Sequence, residues 1–123
     1  MTDEITLTIP RLPAARRVAH LVLGGVATRL ELTLETLEDL ELAIDAVLGR
    51  VGPGDADTVT VRLRFDDGSL ETVIGPLAPA VLDEIELEPD GALGLRRVLD
   101  GTVDDVHVDG DRVRLTKKVQ TGG

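Results

Sequence analysis

A glycine-rich turn, Gly91-Ala92-Leu93-Gly94-Leu95, stands directly before an apolar-patterned stretch. Such a turn can cradle a phosphate on backbone N–H groups at the start of a helix, although the same spacing also makes an ordinary turn. His20, with Arg16 and Arg17 nearby, offers an imidazole for base or ligand work. No second His, Cys or carboxylate is spaced along the chain to complete a site with it, so a solvated side chain is expected. The carboxylates Glu35, Glu38, Asp39, Glu41 and Asp45 crowd one segment whose spacing makes them the wet face of a helix rather than an acid–base pair. Asp67-Gly68 reads as a two-residue hairpin turn, because both central positions of such a turn need positive φ.

The element that must position most of these groups runs from Thr33 to Val51. Leu37, Leu40, Ile44, Val47, Leu48 and Val51 recur at three- and four-residue steps and predict one buried stripe. Thr33 is a suitable N-cap, Leu32 and Leu37 stand as a hydrophobic staple, and Gly49, Gly52 and Pro53 end the helix. Before it, Glu4 to Ile9 alternates as a strand. A first helix then follows Pro13, with Ala15, Val18, Ala19, Val22, Leu23, Val26 and Leu30 as its stripe. Gly24-Gly25 either interrupts that helix or lets it pack closely on the second.

After the central helix, Thr58–Phe65 and Leu70–Ile74 form a hairpin that sets Phe65 opposite Leu70, Arg64 opposite Glu71 and Val61 opposite Ile74. A short helix near Pro79 carries Val81, Leu82 and Ile85, and another runs from Leu93 to Leu99. Strands Val103–Val108 and Arg112–Val119 turn at Asp109-Gly110, and residues 120–123 should fray. The order strand, helix, helix, hairpin, helix, helix, hairpin predicts an α/β fold, a two-layer sandwich with helices on one face of a mixed sheet, in a single domain over residues 1–123.

The 123 residues carry 23 acids against 13 bases, a net charge of −10, which argues against a nucleic-acid surface and for a protein partner with a basic patch. Phe65 is the only aromatic residue, so the core must be built from Leu, Val, Ile and Ala. There is no cysteine, hence neither a disulfide framework nor a thiolate metal site. The polar, acidic amino terminus and the lack of any apolar run near 20 residues predict no signal peptide, no membrane span and a cytoplasmic location.

The run from Asp39 to Val51, DLELAIDAVLGRV, resembles the first long helix of the anti-sigma factor serine kinases, relatives of the histidine kinase ATPase domain. There the helix reads roughly D-L-x-L-A-V-x-E-A-x-x-N-A, its Glu a catalytic base and its Asn the ligand of the magnesium that bridges the nucleotide phosphates. Leu40, Leu42 and Ala43 match, while the Glu falls on Ala46 and the Asn on Arg50. A one-residue shift offers Asp45 and Gly49 instead. The family's D-x-G box, which contacts adenine, falls at Gly75-Pro76-Leu77, which has no Asp. Its G-x-G-L box is matched by Gly94 and Leu95, with Gly91 one place before the first Gly.

The resemblance therefore implies a histidine kinase-like ATPase fold with degenerate nucleotide positions at Arg50, Gly75, Gly91, Gly94 and Leu95, and no cofactor. The function it implies is an anti-sigma-factor-like regulator that binds a sigma factor or an anti-sigma-factor antagonist, commonly as a homodimer. The alternative is a working Mg-ATP-dependent serine kinase of the antagonist. Arg50 has only donors, so it cannot ligate a cation, but it could hold a phosphate directly.

Overall fold

The computed structural model describes residues 3–12, 14–50, 57–86 and 94–119. The alternation of Ile5, Leu7 and Ile9 with Thr6 and Thr8 forms strand β1 (Asp3–Pro10). Helices α1 (Ala15–Arg29) and α2 (Leu34–Leu48) then lead to the hairpin β2 (Thr58–Asp66) and β3 (Ser69–Gly75). Helices α3 (Pro79–Glu86) and α4 (Leu95–Thr102) precede a second hairpin, β4 (Asp105–Asp109) and β5 (Arg112–Lys118). The five strands lie in the order β1-β2-β3-β5-β4, with the helical layer over one face, so the two-layer sandwich is as expected.

The sheet itself corrects the expectation of a mixed one, because each of its neighbouring pairs is antiparallel. The cause lies in the connection from β1 to β2. It contains two helices that reverse on each other, so β2 returns beside β1 running the opposite way, whereas a single-helix crossover would have made a parallel pair.

The first hairpin has the register read from its sequence: Phe65 pairs with Leu70, Arg64 with Glu71 and Val61 with Ile74, around Asp67 (φ 49°) and Gly68 (φ 76°). The second turn sits one residue later than expected. Asp109 pairs with Arg112, which leaves Gly110 and Asp111 as the turn, and only Gly110 has positive φ (64°). A glycine at the first central position suits the II′ turn, which needs positive φ only there.

Thr33 caps α2, its hydroxyl accepting from the Thr36 N–H at 3.2 Å, and Leu40, Ala43, Ile44, Val47 and Leu48 form its buried stripe. The helix ends at Leu48 with Gly49 as its C-cap and Arg50 in the turn that follows, short of the expected Val51, which with Gly52 and Pro53 lies outside the described residues.

Helix α1 keeps the phase of its predicted stripe but buries a narrower face. Ala19, Leu23, Val26 and Ala27 are buried while Val18 is exposed, because the face that meets α2 and β1 follows the narrow 19–23–26–30 row. The helix runs unbroken through Gly24-Gly25, and a Cβ at either glycine would meet nothing within 4 Å, so close packing does not explain them. Gly25→Ala should therefore raise the unfolding free energy by about 0.5–1 kcal/mol, read as a higher denaturant midpoint with an unchanged slope.

Candidate functional site

The carboxyl end of α2, the second turn of α3 and the first turn of α4 meet at Glu84. Val81 and Ile85 hold α3 in the core, and this turns Glu84, on the neighbouring position, toward the other two helices. Its carboxylate accepts from Arg50 Nε at 3.3 Å (Oε1) and 3.2 Å (Oε2), and Oε2 also accepts from the Leu95 backbone N–H at 3.1 Å. Gly94, the N-cap of α4, provides no side-chain cap, so Glu84 supplies the acceptor that this helix start lacks. Arg96, one residue further, donates from Nη1 to the Ile85 carbonyl at 3.0 Å and so ties α4 to the end of α3. The Arg50–Glu84 pair is about 40% exposed on each side and is worth little as an ion pair. Its importance lies in position, since a negative oxygen already sits at the positive end of α4.

Three of the residues implied by the resemblance, Arg50, Gly94 and Leu95, are thus gathered around one carboxylate. Gly91 lies outside the described residues. Gly75 is not part of this group: it ends β3 and lines a depression on the sheet face away from the helices. There Arg112 crosses it so closely that an added Cβ would lie 2.5 Å from Arg112 Cγ and 3.1 Å from the Asp111 carbonyl oxygen. Pro76 and Leu77, the rest of the box, are engaged in structure, with Arg11 Nη2 donating to the Pro76 carbonyl, the Leu77 N–H donating to the Asp111 carbonyl and the Leu77 side chain buried.

The shifted alignment fares no better. Asp45 Oδ1 lies 2.7 Å from His20 Nε2, and Glu41 Oε2 is 3.7 Å from His20 Nδ1, so His20 is held between two carboxylates of α2 rather than solvated alone. One turn earlier on α1, Arg16 lies beside Gly49, its Nη1 3.5 Å from where a Cβ would stand. Spacing of four along α1 puts Arg16 and His20 on one face against Gly49 and Asp45 of α2, themselves four apart. These partners are 25 and 33 residues apart in sequence, and Glu84 is 34 from Arg50, so linear spacing held no sign of them. The available hint was compositional: acids are frequent along the stretch around Asp83-Glu84.

For a magnesium ion the donor set does not fit. Arg50 presents only N–H donors and would repel the cation, and Ala46 has no polar atom. Among the described residues no three His, Cys, Asp or Glu side chains converge to hold a metal. No helix of the described residues is long and apolar enough to cross a membrane.

No family model matches the chain. The serine-protein kinase RsbW of Listeria monocytogenes serotype 4a (strain HCC23) is 28% identical over 141 aligned positions, which span 97% of this chain and 89% of that protein. Its counterpart in serovar 1/2a (strain ATCC BAA-679 / EGD-e) matches to the same extent. Among solved structures, the RsbU and RsbW domains of a Mycobacterium tuberculosis protein superpose with a TM-score of 0.71 at 12% identity, covering 95% of this chain and 32% of that one, a likeness of fold alone. A sequence match across nearly the whole chain, joined to that likeness of fold, marks this protein as homologous to the RsbW serine-protein kinases.

Proposed function

We propose that the protein is an anti-sigma-factor-like regulator that acts by binding a protein partner through one domain spanning residues 1–123, with a nucleotide site that no longer holds Mg-ATP. The observation that carries this reading is the Glu84 carboxylate, bound at once by Arg50 and by the Leu95 N–H at the start of α4. Phosphoryl transfer needs a metal ligand, a water- or hydroxyl-orienting base and an anchor for the nucleotide. At the matching positions this chain has Arg50, Ala46 and Gly75-Pro76, and the anion-receptive helix start is filled by its own side chain. The partner class that follows from the family is a sigma factor or an anti-sigma-factor antagonist, and the assembly a homodimer.

A working serine kinase is the second reading, favoured by the 28% identical relatives, which are serine-protein kinases. The two part on a single experiment. Mixed with sigma factors and anti-sigma-factor antagonists of its own cell in nucleotide-free buffer, the protein should co-elute with one of them on size exclusion, and added γ-labelled ATP should transfer no phosphate to the antagonist. Stoichiometric labelling of a serine on the antagonist would establish the kinase. Absence of any co-elution would remove the regulator.

A further inference from the structure

The sheet face turned away from the helices gathers bases in a chain of net charge −10. Register and alternation place Thr6, Arg62, Val73, Arg114 and His107 in one row across the five strands, and Thr60, Gly75 and Arg112 in the next. Neither row contains an acid until Asp109 on the β4 edge, whereas the row on the other side sets Arg64 between Glu4 and Glu71. On this face lies a depression of about 190 Å³ lined by Thr6, Thr60, Arg62, Val73, Gly75 and Arg112, with Glu4 of the neighbouring row as the one acid at its edge. Arg62 and Arg114 flank Val73 on both sides and leave it only 9% exposed although it faces away from the core.

The guanidinium groups here are short of partners. Arg62 Nε is fully buried and has no hydrogen-bond acceptor. Neither Arg62 nor Arg114 has a carboxylate at ion-pair distance among the described residues, while Arg112 reaches only its neighbour Asp111 at 3.7 Å. A buried N–H without an acceptor is a standing cost that a bound anion removes, and the planar fork of Arg suits a carboxylate in two-point contact.

We propose that this face binds an acidic segment of a protein partner, its carboxylates reaching Arg62, Arg112 and Arg114. Strand geometry sets the spacing such a segment must match, about 7 Å between Arg112 and Arg114 along β5 and about 10 Å between Arg62 and Arg114 across β3. The depression is smaller than the roughly 300 Å³ at which small-molecule pockets begin, so it receives side chains rather than enclosing a nucleotide. A nucleic acid carries a phosphate at every step and would bring some of them against Glu4, Glu71 and Asp109 at the borders, whereas a short acidic segment can place its carboxylates on Arg62, Arg112 and Arg114 alone. A second copy stacked face to face would set Arg rows against Arg rows. The proposal concerns the face opposite the Glu84 site and does not rest on the loss of nucleotide binding.

The test uses the whole chain and a fluorescein-labelled hexaglutamate peptide, followed by anisotropy at low salt. Net repulsion opposes this complex, so saturable binding requires a local basic site. The double substitution Arg62→Ala, Arg114→Ala should weaken it by at least about tenfold, with an unchanged far-UV spectrum, whereas Arg97→Ala on the exposed side of α4 should leave it unaltered. Arg62→Lys, Arg114→Lys should retain part of the affinity, since the charge remains while the fork is lost. Absence of binding, or equal weakening by Arg97→Ala, would overturn the proposal. So would a short DNA duplex that outcompetes hexaglutamate, or a dimer that dissociates in the double variant, since these would assign the face to nucleic acid or to self-association.

Discussion

Replacing Leu40 by Ala is expected to lower the unfolding free energy by about 2–5 kcal/mol, a large share of what a domain of this size has to lose. Leu40 is 1% exposed on the inner face of α2, which packs against α1 and α4 and shares one core with the inward-facing residues of the sheet. Truncating it removes several buried methyl groups and leaves a cavity that a core of branched aliphatic side chains, with Phe65 as its only ring, has little means of refilling. Ile44→Ala, one turn on and 2% exposed, should behave alike, while Glu38→Ala on the exposed face should shift the midpoint little. Urea denaturation of the three variants checks the assignment. Equal shifts for Leu40→Ala and Glu38→Ala would mean that α2 presents a different face to the core.

A single methyl group at Gly75 is expected to cost about 1–3 kcal/mol. Its Cβ would lie 2.5 Å from Arg112 Cγ and 3.1 Å from both Arg112 Cβ and the Asp111 carbonyl oxygen. A change of χ1 can move Arg112 Cγ, but Arg112 Cβ and the Asp111 carbonyl oxygen are fixed by the backbone of a tight turn, so a rotamer change alone does not relieve the crowding. Relief must come from parting β3 and β5 where Ile74 faces Val113. Combining Gly75→Ala with Arg112→Ala removes the worst contact and should recover part of the loss, a coupling that a double-mutant cycle reads directly. Additive losses would show that Arg112 is not what constrains position 75. The glycine that the family resemblance offered as a nucleotide-site residue thus has a sufficient packing reason of its own.

The features legible in the sequence are those encoded by near neighbours. Alternation along Thr58–Phe65 and Leu70–Ile74, joined by a turn with two tolerant positive-φ residues, leaves one register that keeps apolar residues inside, and that register is observed. The second hairpin was legible in outline but not to the residue, because Asp109-Gly110 and Gly110-Asp111 both satisfy a glycine-containing turn and only the pairing of Asp109 with Arg112 decides between them. For α1 the apolar residues are more numerous than the buried face requires, so Val18 and Ala27 exchange their expected places once α2 sets the contact.

The site was legible as a set of replacements and not as an arrangement. That Arg50 stands in place of an Asn can be read from a motif. That Arg50 grips Glu84, that Glu84 caps α4, and that His20 bridges Asp45 and Glu41 depends on helices brought together by the fold. The basic sheet face was hidden for the same reason, since Arg62 and Arg114 are 52 residues apart and become neighbours of Val73 only through the β2-β3-β5 order.

Whether this fold has given up magnesium-bridged nucleotide is read most directly by titration calorimetry with ATP. With Arg50 in the metal-ligand position and no Asp at Gly75-Pro76-Leu77 to accept from the adenine amino group, no heat of binding is expected at millimolar nucleotide, with magnesium or in EDTA. Binding in the micromolar range that requires magnesium would contradict the account and restore the kinase. Binding that persists in EDTA and disappears in Arg50→Ala would contradict it differently, by showing that a phosphate displaces Glu84 from Arg50 and the start of α4.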